Sequence, residues 1–243
     1  MSIKKRPYKD IQPTALLVHC TGIIVDDMDT EVKKKVERFF ASYPLKHFKK
    51  GDILIRAHET PLDVYYLIEG QVVEYDISSA GNEVVVNAFK PGAFFPMSLA
   101  LNNVHNDYFF ESASPLVLRQ APAGDVVDFL KENPDVTFDL LRRVYLGTDG
   151  LLRRTAHLMG GKTRSRLIFE LLNIAARFGE RTTDGSVFVG LTVTDLAKRS
   201  GMSRETISRA MGELREAGLV TVQPGGMTIA DTNKLETMIG DEL

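Results

Sequence analysis

From Leu191 to Gly218 the chain reads LTVTDLAKRSGMSRETISRAMGELREAG, and this stretch decides how the rest is understood. Thr192 is placed to cap a short helix, with Asp195 three residues later in a near-capping-box arrangement. Leu196 and Ala197 supply its inward side. Gly201-Met202 predicts a tight turn, Ser203 caps a second helix running to about Ala217, and Gly218 stops it. Two short helices across a Gly-containing turn of this length make a helix-turn-helix. In the second helix Ile207, Met211 and Leu214 fall at i, i+4 and i+7, which predicts packing on the first. Arg204, Glu205, Ser208 and Arg209 are linked by i+3 and i+4 spacing into one polar strip. That strip occupies the first turn and a half, the end a recognition helix presents to base edges and where the helix dipole favours phosphate. An Arg grips guanine O6 and N7 bidentately, a Glu accepts from cytosine N4, and a Ser serves either role. The alternative is an ordinary surface helix with an Arg/Glu face; cap, turn and face separation together favour the helix-turn-helix.

Downstream, Leu219 to Val222 predicts a strand, Pro224-Gly225-Gly226 a turn and Met227 to Ile229 a second strand. A hairpin directly after the recognition helix makes a winged helix, and Asp231 to Met238 predicts a final helix. Upstream, Arg164 to Phe178 is amphipathic through Leu167, Ile168, Leu171, Leu172 and Ala175, and Gly179 stops it. Before that lies a long helical stretch from Pro134 to Met159. Leu141, Thr148 and Thr155 with Val144, Leu151 and Leu158 form an a/d heptad seam, the pattern of a coiled-coil dimer contact. Two threonines at a, and Gly147 and Gly150 at about 1 kcal/mol each, weaken it. Such a seam fits a helix packed within one chain, a dimer, or a contact that shifts in a switch. Gly160-Gly161 breaks the helix and is expected to be the hinge.

The first half reads differently. Asp29 to Ser42 is helical, with Asp29 or Thr30 as cap and Val32, Val36, Phe39 and Phe40 on one face. Between 47 and 120 come short runs rich in Val, Ile, Tyr and Phe: 53–55, 64–68, 72–77, 84–89, 108–110 and 116–118. Turn residues divide them, at Gly51-Asp52, Glu69-Gly70, Ala80-Gly81-Asn82, Pro91-Gly92 and Ser114-Pro115. Many short strands at this spacing predict an antiparallel sandwich, barrel or roll. Asp125 to Glu132 predicts a short helix ended by Asn133-Pro134.

The 243 residues, 44% apolar and 26% charged, are those of a globular chain and exclude a wholly disordered or collagen-like one. No apolar run reaches the ~18 residues of a membrane span. The N-terminus superficially resembles a signal peptide, but His19, Cys20 and Thr21 interrupt its apolar run and Asp26-Asp27 come next; a cytoplasmic protein is expected. With Cys20 alone, neither an internal disulfide framework nor a four-cysteine zinc or iron–sulfur site of one chain is available. Net charge is -2, yet Arg142 to Arg209 carries 13 Lys/Arg against 6 Asp/Glu, or +7, leaving -9 for the rest. Such a segment suggests a polyanion-binding face or, alternatively, a solvated helix surface.

From about residue 30 onward the sequence resembles the CRP/FNR family of bacterial transcription regulators. The resemblance rests on Tyr66-Leu67-Ile68-Glu69-Gly70-Gln71-Val72, on Lys90-Pro91-Gly92-Ala93-Phe94-Phe95 and on Ser203-Arg204-Glu205-Thr206-Ile207-Ser208-Arg209. It implies an α+β fold: an N-terminal antiparallel β-roll (a double-stranded β-helix or jelly roll), a long dimerisation helix and a C-terminal winged helix-turn-helix. Expected boundaries are an arm at 1–28, the β-roll sensor at 29–133, the dimerisation helix and hinge at 134–160, and the DNA-binding domain at 161–243. The DNA-binding set is Ser203, Arg204, Glu205, Thr206, Ser208 and Arg209. Glu205 and Arg209 match the family's readers of the C and G of a TGA core, and Arg204 a position on phosphate or an outer guanine. Ser208 resembles the FNR branch, which implies a TTGA-type palindrome with half-sites about one helical turn apart. The implied partners are double-stranded DNA, a second copy of the chain and RNA polymerase, with no membrane.

The sensor half departs from the cyclic-nucleotide pattern. Pro96 and Met97 stand where relatives that bind cAMP carry Gly-Glu for the ribose, and Asp107 and Tyr108 where they carry an Arg-Ser/Thr pair for the phosphate. Asp107 would repel that phosphate, and the ordinary expectation for Tyr108, Phe109 and Phe110 is core packing. An iron–sulfur sensor fails for want of cysteines, and no cofactor is expected. Haem stays open through His19, His47, His58, His105 and His157, and Cys20 as a redox thiol or an inert residue. An enzyme is not expected. A cupin-type metal site needs clustered His and Glu, and the chain has no His-x-His, no nucleophile motif, no P-loop and no dinucleotide fingerprint. The alternative within DNA binding is a constitutive or replication protein without an effector. The expected mechanism is a signal at the β-roll that shifts the paired Pro134–Met159 helices and reorients the winged helices about Gly160-Gly161.

Overall fold

The computed structural model describes residues 28–79, 81–102 and 104–240; His19, Cys20 and the expected arm up to residue 27 lie outside them. Two compact units divide between Val144 and Tyr145.

In the first unit the Asp29 carboxylate accepts the amides of Glu31 at 2.9 Å and Val32 at 3.3 Å, so Asp29 rather than Thr30 caps α1 (Thr30–Ala41). Eight strands come after it: β1 (Leu45–Phe48), β2 (Ile53–Ile55), β3 (Asp63–Glu69), β4 (Val72–Ile77), β5 (Glu83–Phe89), β6 (Phe94–Phe95), β7 (Phe109–Ser112) and β8 (Leu116–Pro122). They form two antiparallel four-stranded sheets, ordered β1-β8-β3-β6 and β2-β7-β4-β5. Ile55, Leu67, Val72, Phe95, Phe110, Leu116 and Leu118 make one buried cluster contributed by both sheets. Val64, Tyr66, Phe94 and Ala121 join a second, with Val32, Val36 and Phe40 of α1, Val126 and Leu130 of α3 (Ala123–Glu132), and Val136. The first sheet is therefore covered on two sides, which is why β3 reads as the continuous run Val64 to Ile68 instead of alternating. Between β3 and β4, Gly70 sits at φ +90°, and a Cβ there would lie 2.4 Å from the Pro115 carbonyl oxygen. The Glu69-Gly70 turn thus needs its glycine for both reasons.

The structure differs from expectation at several elements. β1 is an exposed edge strand carrying Lys46 and His47, and β6 is two residues long; neither has a periodic pattern to find. A short helix, α2 (Met97–Asn102), was not expected either. The strand expected at 108–110 starts at Phe109. Buried Asn106 holds Tyr108 at the loop end, accepting its amide at 3.1 Å and donating to the carbonyls of Tyr108 and Arg56 at 2.6 and 2.8 Å. Of the aromatic trio, Phe110 enters the core, Phe109 stacks on Tyr75 at 5.3 Å, and Tyr108 is exposed.

A 27-residue helix, α4 (Pro134–Gly160), crosses from the first unit into the second. The second unit continues with α5 (Thr163–Phe178), β9 (Glu180–Arg181), β10 (Val187–Val189), α6 (Val193–Ser200), α7 (Arg204–Glu216), β11 (Val220–Gln223), β12 (Gly226–Ile229) and α8 (Thr232–Gly240). The hairpin expected after α7 extends into an antiparallel four-stranded sheet, β11-β12-β10-β9. α5 is the central element: Leu167, Ile168, Phe169, Leu171, Leu172, Ile174 and Ala175 are all buried. Its expected single apolar face is an underestimate, because α6, α7, α8 and β10 all pack on it. Gly179 ends it at a site with no room for a side chain, since a Cβ would lie 2.3 Å from Val187 Cγ1.

The compact units do not divide at Gly160-Gly161. The last turns of α4 pack on α5: the His157 ring stacks on Phe169 at 4.4 Å, and Arg154 Nε donates to Glu170 Oε1 at 2.7 Å. Compactness breaks upstream, between Val144 and Tyr145, beside Gly147 and Gly150.

Candidate nucleic-acid interface

Local chemistry sets both helices of the motif. Thr192 accepts the Asp195 amide at 3.2 Å while Asp195 accepts the Thr192 amide at 2.8 Å, a complete capping box at the start of α6. Gly201 adopts φ +61° and ends it. Ser203 Oγ accepts the Thr206 amide at 3.2 Å and starts α7.

The two sides of α7 separate as the spacing predicts. Ile207, Ala210, Met211 and Leu214 are buried in the domain core. Ser203, Arg204, Glu205, Ser208 and Arg209 are exposed and Thr206 is half-buried. The six residues of the expected DNA-binding set divide into two kinds. Ser203 and Thr206 are occupied with each other, their hydroxyl oxygens 3.0 Å apart. Arg204, Glu205, Ser208 and Arg209 present their side chains to solvent from the helix N-terminal half. The Glu205 carboxyl is held below the usual range by its own backbone N–H, then by the Ser203 hydroxyl and the Arg204 charge, so it is an acceptor at neutral pH.

The +7 segment is less of a surface than its charge count suggests. Arg154 Nε lies 2.7 Å from Glu170 Oε1, with Glu170 only 2% exposed. The guanidinium carbons of Arg177 and Arg199 sit 5.3 and 5.8 Å from the Phe178 ring centroid. Burial, then the neighbouring Arg199 and Arg154, pushes Arg177 down to about 10. Arg166 Nη2 donates to the Ser200 carbonyl at 3.1 Å. These arginines hold the domain together from inside. Sequence reading missed them because helical period alone places Glu170 on an open face, and nothing local announces that Arg154 meets it.

In the first unit, Pro96 is buried and Met97 opens α2. Asp107 is exposed, 3.9 Å from His58 Nδ1. His47, His58 and His105 are exposed, whereas His157 is buried against Phe169. Among the described residues no group of three or more His, Cys, Asp or Glu is placed to hold a metal ion, and no helix is long and apolar enough to cross a membrane.

Comparison with known proteins accords with this geometry. Residues 165–238 match the family model described as Crp-like helix-turn-helix domain, and residues 45–133 the one described as cyclic nucleotide-binding domain. The chain is 29% identical over 172 residues to the Global nitrogen regulator of Nostoc sp., an alignment covering 68% of this chain and 76% of that one. It is 27% identical over 195 residues to the Transcriptional regulator SdrP of Thermus thermophilus, covering 79% and 92%. In fold it is similar to the crystal structure of a CRP/FNR-family transcriptional regulator from Thermus thermophilus, with TM-score 0.68 and 23% identity over 82% of this chain and 100% of that one.

Proposed function

Because this chain belongs to the CRP/FNR family of transcription regulators, we propose that it acts as a homodimer reading a TTGA-type DNA palindrome under the control of a signal other than a cyclic nucleotide. The observation that carries the proposal is the exposed strip Arg204, Glu205, Ser208, Arg209 on the N-terminal half of α7. Two cations, an ionised carboxylate and a hydroxyl match the donor and acceptor edges of a TGA core, with Arg209 on guanine and Glu205 on cytosine. Two copies of that strip, one helical turn apart, read a palindrome. The a/d seam of α4 supports pairing: Leu141, Val144 and Leu151 are 48%, 55% and 55% exposed in the protomer.

The residues at the cyclic-nucleotide positions do not fit that ligand. Pro96 has no N–H to give a ribose and Met97 no carboxylate, while Asp107 sets a negative charge where a phosphate would lie. The signal is therefore assigned to another chemistry at the β-roll.

Fluorescence anisotropy of the ligand-free protein on a labelled TTGA palindrome, against a scrambled duplex at two salt concentrations, tests the reading. Selective binding that persists as salt rises is expected, because non-specific phosphate binding falls steeply with salt. Equal affinity for both duplexes, together with a selection from random duplexes that enriches no palindrome, would overturn it.

A further inference from the structure

The two carbonyls that end α6 immediately precede the turn into the recognition helix. Arg199 and Ser200 are the last residues of α6, Gly201-Met202 is the turn, and Ser203 caps α7. The last carbonyls of a helix have no partner within it and carry the negative end of its dipole. Here guanidinium groups from outside the motif meet both. Arg166 of α5 donates to the Ser200 carbonyl at 3.1 Å. Arg154 of α4 donates through Nη2 to the Arg199 carbonyl, while its Nε donates to Glu170 Oε1 at 2.7 Å. One rigid fork thus spans three helices. Glu170 aims it: the carboxylate is 2% exposed and fixes the guanidinium from the α5 side.

We propose that Arg154 is a positioning residue for DNA binding, which fixes the turn before the recognition helix to the last turns of the dimerisation helix. Arg154 does not touch DNA in this arrangement; it is mostly buried, with 16% of its side chain exposed. Its effect is on where α7 points. A rotation of the end of α4 passes to the Gly201-Met202 turn through one side chain and need not travel along Gly160-Gly161. The inference rests on the DNA-binding reading above for its consequence, though not for its local geometry.

The test uses the full chain and Arg154→Lys, with Arg154→Met as a second variant. Lysine keeps the charge opposite Glu170, so the domain folds, but one ammonium replaces the two-armed fork. Amide hydrogen exchange of Arg199 to Thr206 reads the turn without DNA. Exchange there is expected to quicken at least tenfold in both variants while α8 keeps its protection. On the TTGA palindrome, affinity is expected to fall about tenfold, with the affinity for a scrambled duplex and the slope of log affinity against log salt both unchanged. Arg204→Ala, in contrast, is expected to lower that slope by about two, one contact for each copy in the dimer. Unchanged exchange in Arg154→Lys, or palindrome binding within twofold of wild type, overturns the proposal. A salt slope reduced by about two, one for each copy, also overturns it, since Arg154 is then a phosphate contact. A wild-type protein without palindrome selectivity counts against the DNA reading alone, and hydrogen exchange still decides the role of Arg154.

Discussion

Glu236 of α8 is 1% exposed, with both carboxylate oxygens buried and without a hydrogen-bond partner. Burial pushes its carboxyl up to about 7. Folding therefore favours the protonated form. The stabilising contribution is complete below the unfolded pKa near 4.5 and is lost as pH rises through about 7. Glu236→Gln removes the titration and keeps the shape. The variant's stability advantage over wild type should widen by on the order of 2 kcal/mol between pH 5.5 and 8.5. Urea unfolding at the two pH values measures this, and a constant difference would show that the carboxyl is paired. Arg209 is exposed on the strip proposed to read bases and makes no part of the core. Arg209→Ala should cost about 1–3 kcal/mol of affinity per half-site and relax selectivity at one base pair in each half-site, with scrambled-duplex binding little changed. Competition with single-base operator variants reads both effects.

Two glycines of the recognition element separate propensity from geometry. Gly212 lies inside α7, where an added Cβ meets nothing within 4 Å, whereas Gly218 just beyond the helix sits at φ +68°. Gly212→Ala should stabilise the domain by about 1 kcal/mol. Gly218→Ala should destabilise it by about 1 kcal/mol or more, because the left-handed region penalises a Cβ. Thermal unfolding of the pair checks opposite signs, and equal shifts would refute the distinction. The same contrast explains what the sequence made legible. Thr192, Asp195, Ser203 and Gly201 do their work within three residues of themselves, so both helix starts and the turn were readable to the residue. β6 and β9 are two residues each and exist only because Tyr65-Tyr66 and Val187-Phe188 lie beside them. Glu170 is buried because Arg154, sixteen positions earlier, reaches it. Partners at that distance leave no periodic trace. The position of the division within α4 was hidden for the same reason, since it depends on what His157 and Arg154 touch and not on the Gly160-Gly161 pair.

At the scale of the whole molecule, α4 presents more apolar surface than one protomer covers. Beside the seam residues Leu141, Val144 and Leu151, the heptad-spaced Phe138, Tyr145, Leu152 and Met159 are 69%, 69%, 64% and 84% exposed. On the proposed homodimer reading, this apolar stripe is the face that the second copy covers. Threonines at Thr148 and Thr155 and the helix-weakening Gly147 keep the contact short of a full zipper. A charge at its centre should therefore be enough to separate the copies. Leu151→Glu places two carboxylates across the seam, where like charges repel and must lose water. The variant is expected to sediment as a monomer at concentrations where wild type sediments as a dimer, with thermal unfolding of the winged-helix unit unchanged, because Leu151 is outside its core. Its affinity for the palindrome should fall to that for a single half-site, and the slope of log affinity against log salt to about half the wild-type value, since one set of phosphate contacts is lost. Monomeric wild type, or a Leu151→Glu protein that binds the palindrome as a dimer, would place the pairing surface elsewhere than on α4.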